Sequence, residues 1–561
     1  MNIFISVADF HQKGGWLMDS QFIETMGMPY LLAHGIGTPV SDAKATVQID
    51  SDGKYHIYAY TYNWNAPWKA EYAPGIFEIS LGDYKKVFGD KGDDWGWQDG
   101  EEACLKAGKY ELTLHDLTGF EGRLAALLIT DEVPKMPREY IKTPEEVTAR
   151  YDYIVVGGGI TGITAAISAA RSGLKTALVQ DRPVLGGNNS SEVRVWLSGK
   201  TCFDRFPKLG NITNELEQKV AHISGCGNKA SNYEDDMKYD KVAKEENIDL
   251  YLCHSVIDAY TERGQIKDII CMDLNSCKNI RLSAPLYADC SGDGVLAMLS
   301  GADYEMTASG HMELSNFWSI VDTGEEQPFK RCPWAIDLTE PDFPGRLRAN
   351  GKDPDGEKKT AETIGNWRWG AGFEHDPIKK AEYARDTNFR AMYGVWDALK
   401  NVDGDFKTYK IAQSCHIAGK RESRRFFGPV VLTTNDLINK NYFNDAIVGI
   451  DWALDVHTPH RGYYNAYVEG DAFICTDGTT QWNPPYYLPY RCLYSRNIDN
   501  LFIAGRCIST THDALGPVRV MRTCGMMGEV IGRAAFLCRE YKITPDGVYH
   551  SKIEELKNFF K

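Results

Sequence analysis

Three glycines in the segment "VVGGGITG" have the spacing of a turn that binds phosphate. Gly157, Gly159 and Gly162 form the pattern Gly-x-Gly-x-x-Gly directly after the apolar run Tyr153–Val156. Glycine lets such a turn tighten and lets the backbone approach a pyrophosphate, and the third glycine lets the next helix pack closely. The free N–H groups at the start of that helix attract the phosphate charge. The spacing therefore predicts a dinucleotide site.

The residues after the third glycine complete a strand-helix-strand unit. Apolar residues recur at helical spacing as far as Gly173, and residues 176–179 form a second apolar strand. An acidic residue at the end of this second strand commonly binds the ribose hydroxyls. Gln180 occupies that position and Asp181 follows it. An amide can accept one hydroxyl hydrogen bond and donate another, so either side chain could take the role.

The order of the later segments favours FAD over NAD. A second glycine turn, "DRPVLGGNNSSE", follows the unit, whereas the remaining strands of the fold lie far along the chain, at 248–273, 285–302 and 500–509. A cofactor domain interrupted by a long insertion is the layout of large flavoproteins. The last strand ends in Gly505 and Arg506, where many flavin folds have Gly-Asp. Asp293 offers a carboxylate upstream, and Arg506 can donate to a phosphate or a flavin carbonyl.

The chain resembles the FAD-dependent oxidoreductase family often labelled FAD_oxidored, a branch of the glutathione-reductase-like and fumarate-reductase-like flavoproteins. The resemblance rests on "VVGGGITG", "ADCSGDGVLAMLSGA", "GKRESRRFFG", "PYRCLYSRNIDNLFIAGRCIS" and "RVMRTCGMMGEVIGRAA", and it covers residues 148 to 540. Members of this family commonly have Gly-Arg after the last strand, so Arg506 fits the family. The resemblance implies FAD binding and redox chemistry, and it implies no substrate.

The motifs and the resemblance give one set of predicted FAD contacts. The set is Gly157, Gly159, Ile160, Thr161, Gly162, Gln180, Asp181, Arg182, Gly186, Gly187, Asn188, Val256, Gly292, Asp293, Gly505 and Arg506.

Histidine is the first candidate for proton transfer, because its side chain titrates nearest neutral pH. Hydride transfer from an alcohol carbon to flavin N5 needs a base for the hydroxyl proton. His512 is expected on a loop that passes the flavin, six residues after Arg506, and His457 is the second candidate. The predicted substrate-binding residues are Arg491, Arg519, Arg421 and Trp367. Structural histidines and ion-paired arginines are the alternative interpretation.

The residues before the nucleotide fold have a different pattern. Short β-rich runs separated by Gly, Asp and Asn turns are typical of an antiparallel β-sandwich. The motifs "YTYNWNAPW" and "WGWQDG" resemble the golvesin or xanthan-lyase type of β-sandwich, which is carbohydrate-binding-like. Trp64, Trp68, Trp95 and Trp97 could stack on sugar rings, or could form the sandwich core or its contact with the flavin domain.

These segments predict an α/β protein with a Rossmann-like two-part FAD-binding domain, an inserted α+β substrate domain and a preceding all-β sandwich. A chain of 561 residues is too long for one hydrophobic core. The predicted units are the β-sandwich at 1–133, a linker at 134–150, the first FAD-binding part at 151–302, the inserted domain at 303–490, the last FAD-binding part at 491–545 and a C-terminal tail at 546–561.

Three functions remain open at this stage. The first is an FAD-dependent oxidoreductase that oxidises a hydroxyl carbon of a saccharide or polyol. The second is a flavin-dependent reductase of an activated carbon-carbon double bond, as in fumarate-reductase-like proteins. The third is a carbohydrate-binding protein with a vestigial flavin site, which the complete set of glycine motifs disfavours.

Composition excludes several classes of partner. The net charge is −15 without a long Lys/Arg run, which argues against nucleic acid. No apolar stretch is long enough to span a membrane. No signal peptide is visible, which predicts a cytoplasmic protein, or a periplasmic one if a signal peptide was trimmed. Fourteen cysteines without a CxxC pair predict no metal site and a reducing compartment. The sequence leaves open whether the chain forms a homo-oligomer.

Overall fold

The centre of the fold is a five-stranded parallel sheet. The computed structural model describes residues 2–141, 147–220, 227–346, 364–480 and 483–561. Across the sheet the strands are Ile248–Tyr251, Thr176–Val179, Tyr153–Val156, Leu286–Asp289 and Leu501–Ile503. Every strand except Ile248–Tyr251, at one edge, is buried along its whole length, as expected for a parallel sheet covered on both faces. The prediction of a Rossmann-like fold is confirmed.

Two long helices pack together beside this sheet. The helix Ile160–Ala170 begins at the glycine turn, and Met521–Tyr541 crosses it closely. Gly528 permits the approach, because a β-carbon there would lie 2.2 Å from the carbonyl oxygen of Thr161. Thr164 also donates its hydroxyl to the Gly525 carbonyl at 2.8 Å. The contact holds the start of the first helix in a fixed position against the sheet.

A second sheet lies at the edge of the nucleotide fold. Its strands run in the order Ala149–Arg150, Lys278–Ser283, Gln265–Asp273 and His254–Glu262. The last three strands are antiparallel, and the first pairs parallel with its neighbour.

The region between the two parts of the nucleotide fold is built from short strand pairs around a buried helix, Ala381–Asp397. The pairs are Tyr304–Glu305 with Arg425–Phe426, Leu314–Ser315 with Gly419–Lys420, Trp318–Asp322 with Tyr409–Ser414, Ala446–Ile450 with Tyr486–Pro489, and His457–Pro459 with Cys475–Asp477. The buried helix brings aromatic side chains into a core with residues from the start of the chain.

The N-terminal region, residues 2–130, contains two four-stranded antiparallel sheets. One has the order Asn2–Ser6, Ala126–Thr130, Gly53–Thr61 and Gly96–Leu105, and the other has Ala43–Ile49, Gly108–Asp116, Phe77–Leu81 and Tyr84–Phe88. Side chains of both sheets share one hydrophobic core. A third sheet joins Gly122–Leu124, Tyr30–Ala33 and Leu17–Asp19.

The remaining α-helices are short except for the last. They are Ile23–Met26, Ala66–Lys69, Asn211–Asn214, Asp235–Ala243, Val295–Leu299, Thr434–Asn439, His512–Val518 and Pro545–Asn558. The last of these occupies most of the predicted C-terminal tail. In the described ranges, no helix combines the length and the apolar character needed to cross a membrane.

Candidate active site

A cavity of about 1180 Å³ opens at the carboxyl ends of the parallel strands. It is lined by every predicted FAD contact except Gly162. Gly162 lies behind the turn, where a β-carbon would be only 1.7 Å from the Gly157 carbonyl oxygen. Its role is therefore close packing of the helix against the turn, as the motif predicts.

The glycine turn presents open backbone to the cavity. Gly159 is the N-cap of the helix Ile160–Ala170 and has no side chain to satisfy the first N–H groups. A β-carbon on Gly159 would meet nothing nearer than the Gly187 Cα at 3.8 Å, so this side of the turn is open. Gly157 has a φ of +99°, which favours glycine. The turn has the shape and the free donors that a pyrophosphate needs.

The two candidates for the ribose position differ in environment. Gln180 is buried, accepts the Gly158 N–H at 2.7 Å and donates to the Val184 carbonyl at 3.2 Å. The Gln180 amide is therefore already occupied within the turn. The Asp181 side chain is about half exposed and also lines the cavity. Its carboxylate lies 4.0 Å from the Arg182 guanidinium and can accept ribose hydroxyls.

Arg506 and Asp293 are partners across the two parts of the nucleotide fold. Arg506 Nη2 donates to Asp293 Oδ1 at 2.9 Å, and Lys420 Nζ donates to Oδ2 at 2.6 Å. Burial raises the pKa of Asp293, but the charges of Lys420 and Arg506 outweigh burial and hold that pKa well below its usual range. The aspartate therefore fixes the arginine rather than presenting a free carboxylate.

The residues of this site fit FAD. Arg506 Nη1 is buried and has no hydrogen-bond partner among the described residues, so it can donate to a bound group. The open glycine turn and the Asp181 carboxylate supply the other contacts that a dinucleotide requires.

His457 lines the cavity and is fixed between two carboxylates. Its Nδ1 lies 2.8 Å from Glu313 Oε1, and its Nε2 lies 3.2 Å from Asp455 Oδ1. Burial raises the pKa of Glu313, but the charges of Arg421 and His457 lower that pKa by more than burial raises it. The buried carboxyl group therefore stays ionised. Asp455 has a pKa of about 2, because the hydrogen bond from His457 and the charge of Arg519 outweigh burial.

Three of the four predicted substrate residues line the cavity, and the fourth, Arg491, does not. Arg421, Arg519 and Trp367 line the cavity near His457. Arg421 pairs with Glu313 at 2.8 Å, and the Trp367 ring lies 5.4 Å from the His457 ring. Arg421 directly follows the short strand Gly419–Lys420.

Two predicted residues lie away from the cavity. Arg491 was expected to orient the substrate, but its guanidinium donates two hydrogen bonds of 2.9 Å to the buried Asp445 carboxylate. His512 was expected on a loop, but it begins the helix His512–Val518 and pairs with Glu422 at 2.8 Å. Neither residue is among those that line the cavity.

The tryptophans proposed for sugar stacking make contacts within the chain; Trp64 is buried and the other three are partly buried. Trp64 donates to the Phe120 carbonyl at 3.0 Å, and Trp97 donates to the Lys135 carbonyl at 2.7 Å. Trp68 stacks on Tyr383 with ring centroids 4.5 Å apart, and Trp95 donates to Glu382 at 2.8 Å. These rings serve contacts within the N-terminal region and with the helix Ala381–Asp397.

Glu313, His457 and Cys475 gather donor atoms of the kinds that bind metal ions. These atoms lie within 4.8 Å of one another. Arg421 already neutralises Glu313, and burial raises the pKa of the Cys475 thiol well above its usual value. A metal ligand must be deprotonated. We therefore expect Glu313 to hold His457 in place, and we expect the three residues not to bind a metal ion.

Sequence reasoning missed several residues that line the cavity or hold its lining residues in place. Asp455 stands two residues before His457, and this short spacing was an available signal. Glu313 lies 144 residues from His457, so only the fold brings the two together. Residues between Ser20 and Gly27 also line the cavity, and nothing in their pattern indicated it.

Comparison with known proteins identifies the family. The family described as FAD dependent oxidoreductase matches residues 152–559. A geranylgeranyl bacteriochlorophyll reductase-like protein from Thermoplasma acidophilum is 14% identical over 70% of this chain and 80% of that one, with a TM-score of 0.33. The quinol fumarate reductase FrdA of E. coli is 11% identical over 72% and 74%, with a TM-score of 0.33. Likenesses this distant say nothing about the substrate. The family match spans most of the chain, which therefore belongs to the FAD dependent oxidoreductase family and is an FAD-dependent enzyme.

Proposed function

We propose that the chain oxidises a hydroxyl-bearing carbon of a saccharide or polyol. Bound FAD would supply the acceptor for the hydride that leaves the carbon. The observation that carries the proposal is the position of His457, which is held between Glu313 and Asp455 beside the Trp367 ring at the cavity wall. This arrangement combines a proton-transfer group with an aromatic face and several polar side chains.

His457 is positioned to take the hydroxyl proton. Glu313 is buried and ionised, so it fixes the ring through Nδ1 and stabilises the imidazolium that forms. The Nε2 side faces Asp455, whose carboxylate is more exposed than that of Glu313. As the substrate carbon loses a hydride, its hydroxyl oxygen loses a proton to the pair formed by Asp455 and His457 Nε2, and the product is a carbonyl compound.

The charges at this end of the cavity favour a neutral substrate. Arg421 is paired with Glu313 at 2.8 Å, and Arg519 lies 3.7 Å from Asp455. Each cation thus has an acidic partner, and a dicarboxylate would have to compete with these partners. A polyhydroxy compound, whose hydroxyls both donate and accept, can bond to such pairs without disrupting them.

Aromatic side chains line the same end. Trp367 and Trp452 both contribute to the cavity wall. Indole rings provide broad apolar surface with a single polar group, which suits the C–H faces of a sugar ring. The pairing of aromatic and polar groups supports a saccharide over a purely apolar substrate.

An anaerobic reduction screen tests this proposal. FAD-loaded protein is mixed without oxygen with a panel of monosaccharides, oligosaccharides and polyols, and the visible flavin absorbance is followed. We expect at least one member of the panel to bleach the flavin, and Asp455→Asn to slow that bleaching. Asp451→Asn is the matched control, because Asp451 lies nearby but does not line the cavity. If no compound bleaches the flavin, the proposal is wrong.

A second candidate is reduction of an activated double bond in an unsaturated acid. Burial lowers the pKa of Arg519, and the nearby charges of Arg421 and Arg506 lower it further. A bound carboxylate would relieve this repulsion, and protonated His457 would then supply a proton to carbon. We rank this candidate second because Arg421 and Arg519 already have acidic partners. Re-oxidation of chemically reduced protein by unsaturated acids, with no bleaching by sugars, would favour it.

A further inference from the structure

A segment of the N-terminal region forms part of the wall of the FAD cavity. Residues between Ser20 and Gly27 line the cavity, and so does Arg138. The family match begins only at residue 152, so this wall lies outside the family's shared sequence. The segment follows the strand Leu17–Asp19 and contains the short helix Ile23–Met26.

Hydrogen bonds hold the start of this segment against two parts of the enzyme. Ser20 donates its hydroxyl to the Asp181 carbonyl at 3.1 Å. The Gln21 amide donates to the His416 carbonyl at 3.0 Å and accepts the Ala418 N–H at 2.7 Å. The segment is thus tied both to the nucleotide fold and to the region inserted in it.

Side chains further along the segment extend this attachment. Glu24 forms a two-point ion pair with Arg424, whose guanidinium also donates to the Asp293 carbonyl at 3.2 Å. Ile23 is buried in a small apolar cluster with Cys253. These contacts hold the segment in place at the wall of the cavity.

The segment lies beside Asp181, the residue expected to bind the adenosine ribose. Asp181 follows the strand Thr176–Val179, whose carboxyl end receives the ribose in this fold. The helix Ile23–Met26 packs against the strand His254–Glu262, and Val256 of that strand lines the cavity.

The same end of the cavity has the chemistry that an adenine ring requires. The helix Val295–Leu299 packs against the strand that carries Val256, and Met298 and Leu299 add apolar wall. Glu24 contributes a carboxylate that can accept from the adenine amino group.

We propose that the segment Ser20–Gly27 closes the adenosine half of the FAD site, so that the N-terminal region is needed to retain the cofactor. The ligand of this subsite is the adenosine diphosphate part of FAD. The proposal is independent of the substrate, because it concerns contacts with the adenosine diphosphate part of FAD and not with His457.

Binding to the full-length apo-protein tests the proposal. Thr25 is exposed and lines the cavity, so Thr25→Trp would fill space that the adenosine needs. We expect this change to weaken binding of both FAD and ADP about tenfold or more, because the indole ring would occupy the space that the adenosine needs. Thr46→Trp, at an exposed strand position outside the cavity, is the matched control and should bind both as tightly as the wild type. Equal affinities in the two variants would overturn the proposal.

Photocrosslinking of the unaltered protein decides the question if Thr25→Trp fails to fold. FAD with a photoreactive azide on the adenine is bound and irradiated, and the tryptic peptides are mapped. We expect label in the peptide Gly14–Lys44, which contains the whole segment. Label found only between residues 152 and 559 would overturn the proposal. A failure of sugars to bleach the flavin would leave both results unchanged.

Discussion

At the residue scale, two histidines compete for the role of base, and their surroundings separate them. His512 donates its Nδ1 hydrogen to the Glu422 carboxylate, and this hydrogen bond raises the pKa of His512. His457 lines the cavity, whereas His512 does not. We therefore expect His457→Gln to slow anaerobic flavin reduction by about 100-fold or more, the usual size of a lost acid-base catalyst. His512→Gln should change the rate only a few-fold. The opposite ranking, measured by stopped-flow absorbance, would return the role to His512.

Asp455 gives a pH dependence whose sign follows from its environment. Its pKa is about 2, below the ordinary 3.8, so the folded state is stabilised when this group is ionised. This contribution is fully present above about pH 4 and is lost as the pH falls towards 2; it amounts to about 2 kcal/mol. Urea unfolding of the wild type and Asp455→Asn should therefore differ most near neutral pH and converge towards pH 2. A difference that does not change with pH would contradict this account.

At the element scale, two glycines of the same turn have different roles: Gly159 serves cofactor binding and Gly162 serves folding. Alanine at Gly159 adds a methyl group to open space in the cavity, whereas alanine at Gly162 would collide with the Gly157 carbonyl. We expect Gly159→Ala to leave the unfolding free energy of the apo-protein within about 0.5 kcal/mol of wild type. Its FAD affinity should fall about tenfold or more, because the methyl group occupies the pyrophosphate position.

Gly162→Ala is the contrasting change in the same turn. It should lower the unfolding free energy of the apo-protein by about 1–3 kcal/mol, since the backbone must shift to admit the methyl group. Denaturant unfolding without FAD and titration with FAD measure both variants. The interpretation fails if Gly159→Ala destabilises the apo-protein as much as Gly162→Ala does.

Local pattern predicted the elements that carry the cofactor motif, but it could not predict their partners. The strands Tyr153–Val156 and Thr176–Val179 stand where the apolar runs indicated, because short-range spacing specifies both the strand and the turn. The pairing of His457 with Glu313 joins residues that are 144 positions apart, which no local pattern records. His512 was misplaced for a related reason: a short helix begins at that residue and turns its side chain towards Glu422.

At the scale of the whole molecule, the N-terminal region is joined to the enzyme by a buried network of charges. Arg123 bonds to Glu382 and Asp386 of the helix Ala381–Asp397, at 2.7 and 3.0 Å. Arg385 of that helix bonds in return to Asp19 at 2.6 Å. Breaking a buried pair leaves an uncompensated charge, so such a network fixes one relative position of its parts. The segment over the adenosine site begins directly after Asp19.

Loss of this network should therefore weaken both the fold and the cofactor site. Arg385→Leu leaves the Asp19 carboxylate buried without its cation, which should cost about 3–5 kcal/mol of unfolding free energy. FAD affinity should fall in the same variant, because Asp19 positions the segment Ser20–Gly27. Arg331→Leu is the matched control: its side chain is 60% exposed, and loss of its pair with Asp397 should cost less than about 1 kcal/mol. If urea unfolding and FAD titration show equal losses in the two variants, the buried network does not connect the N-terminal region to the cofactor.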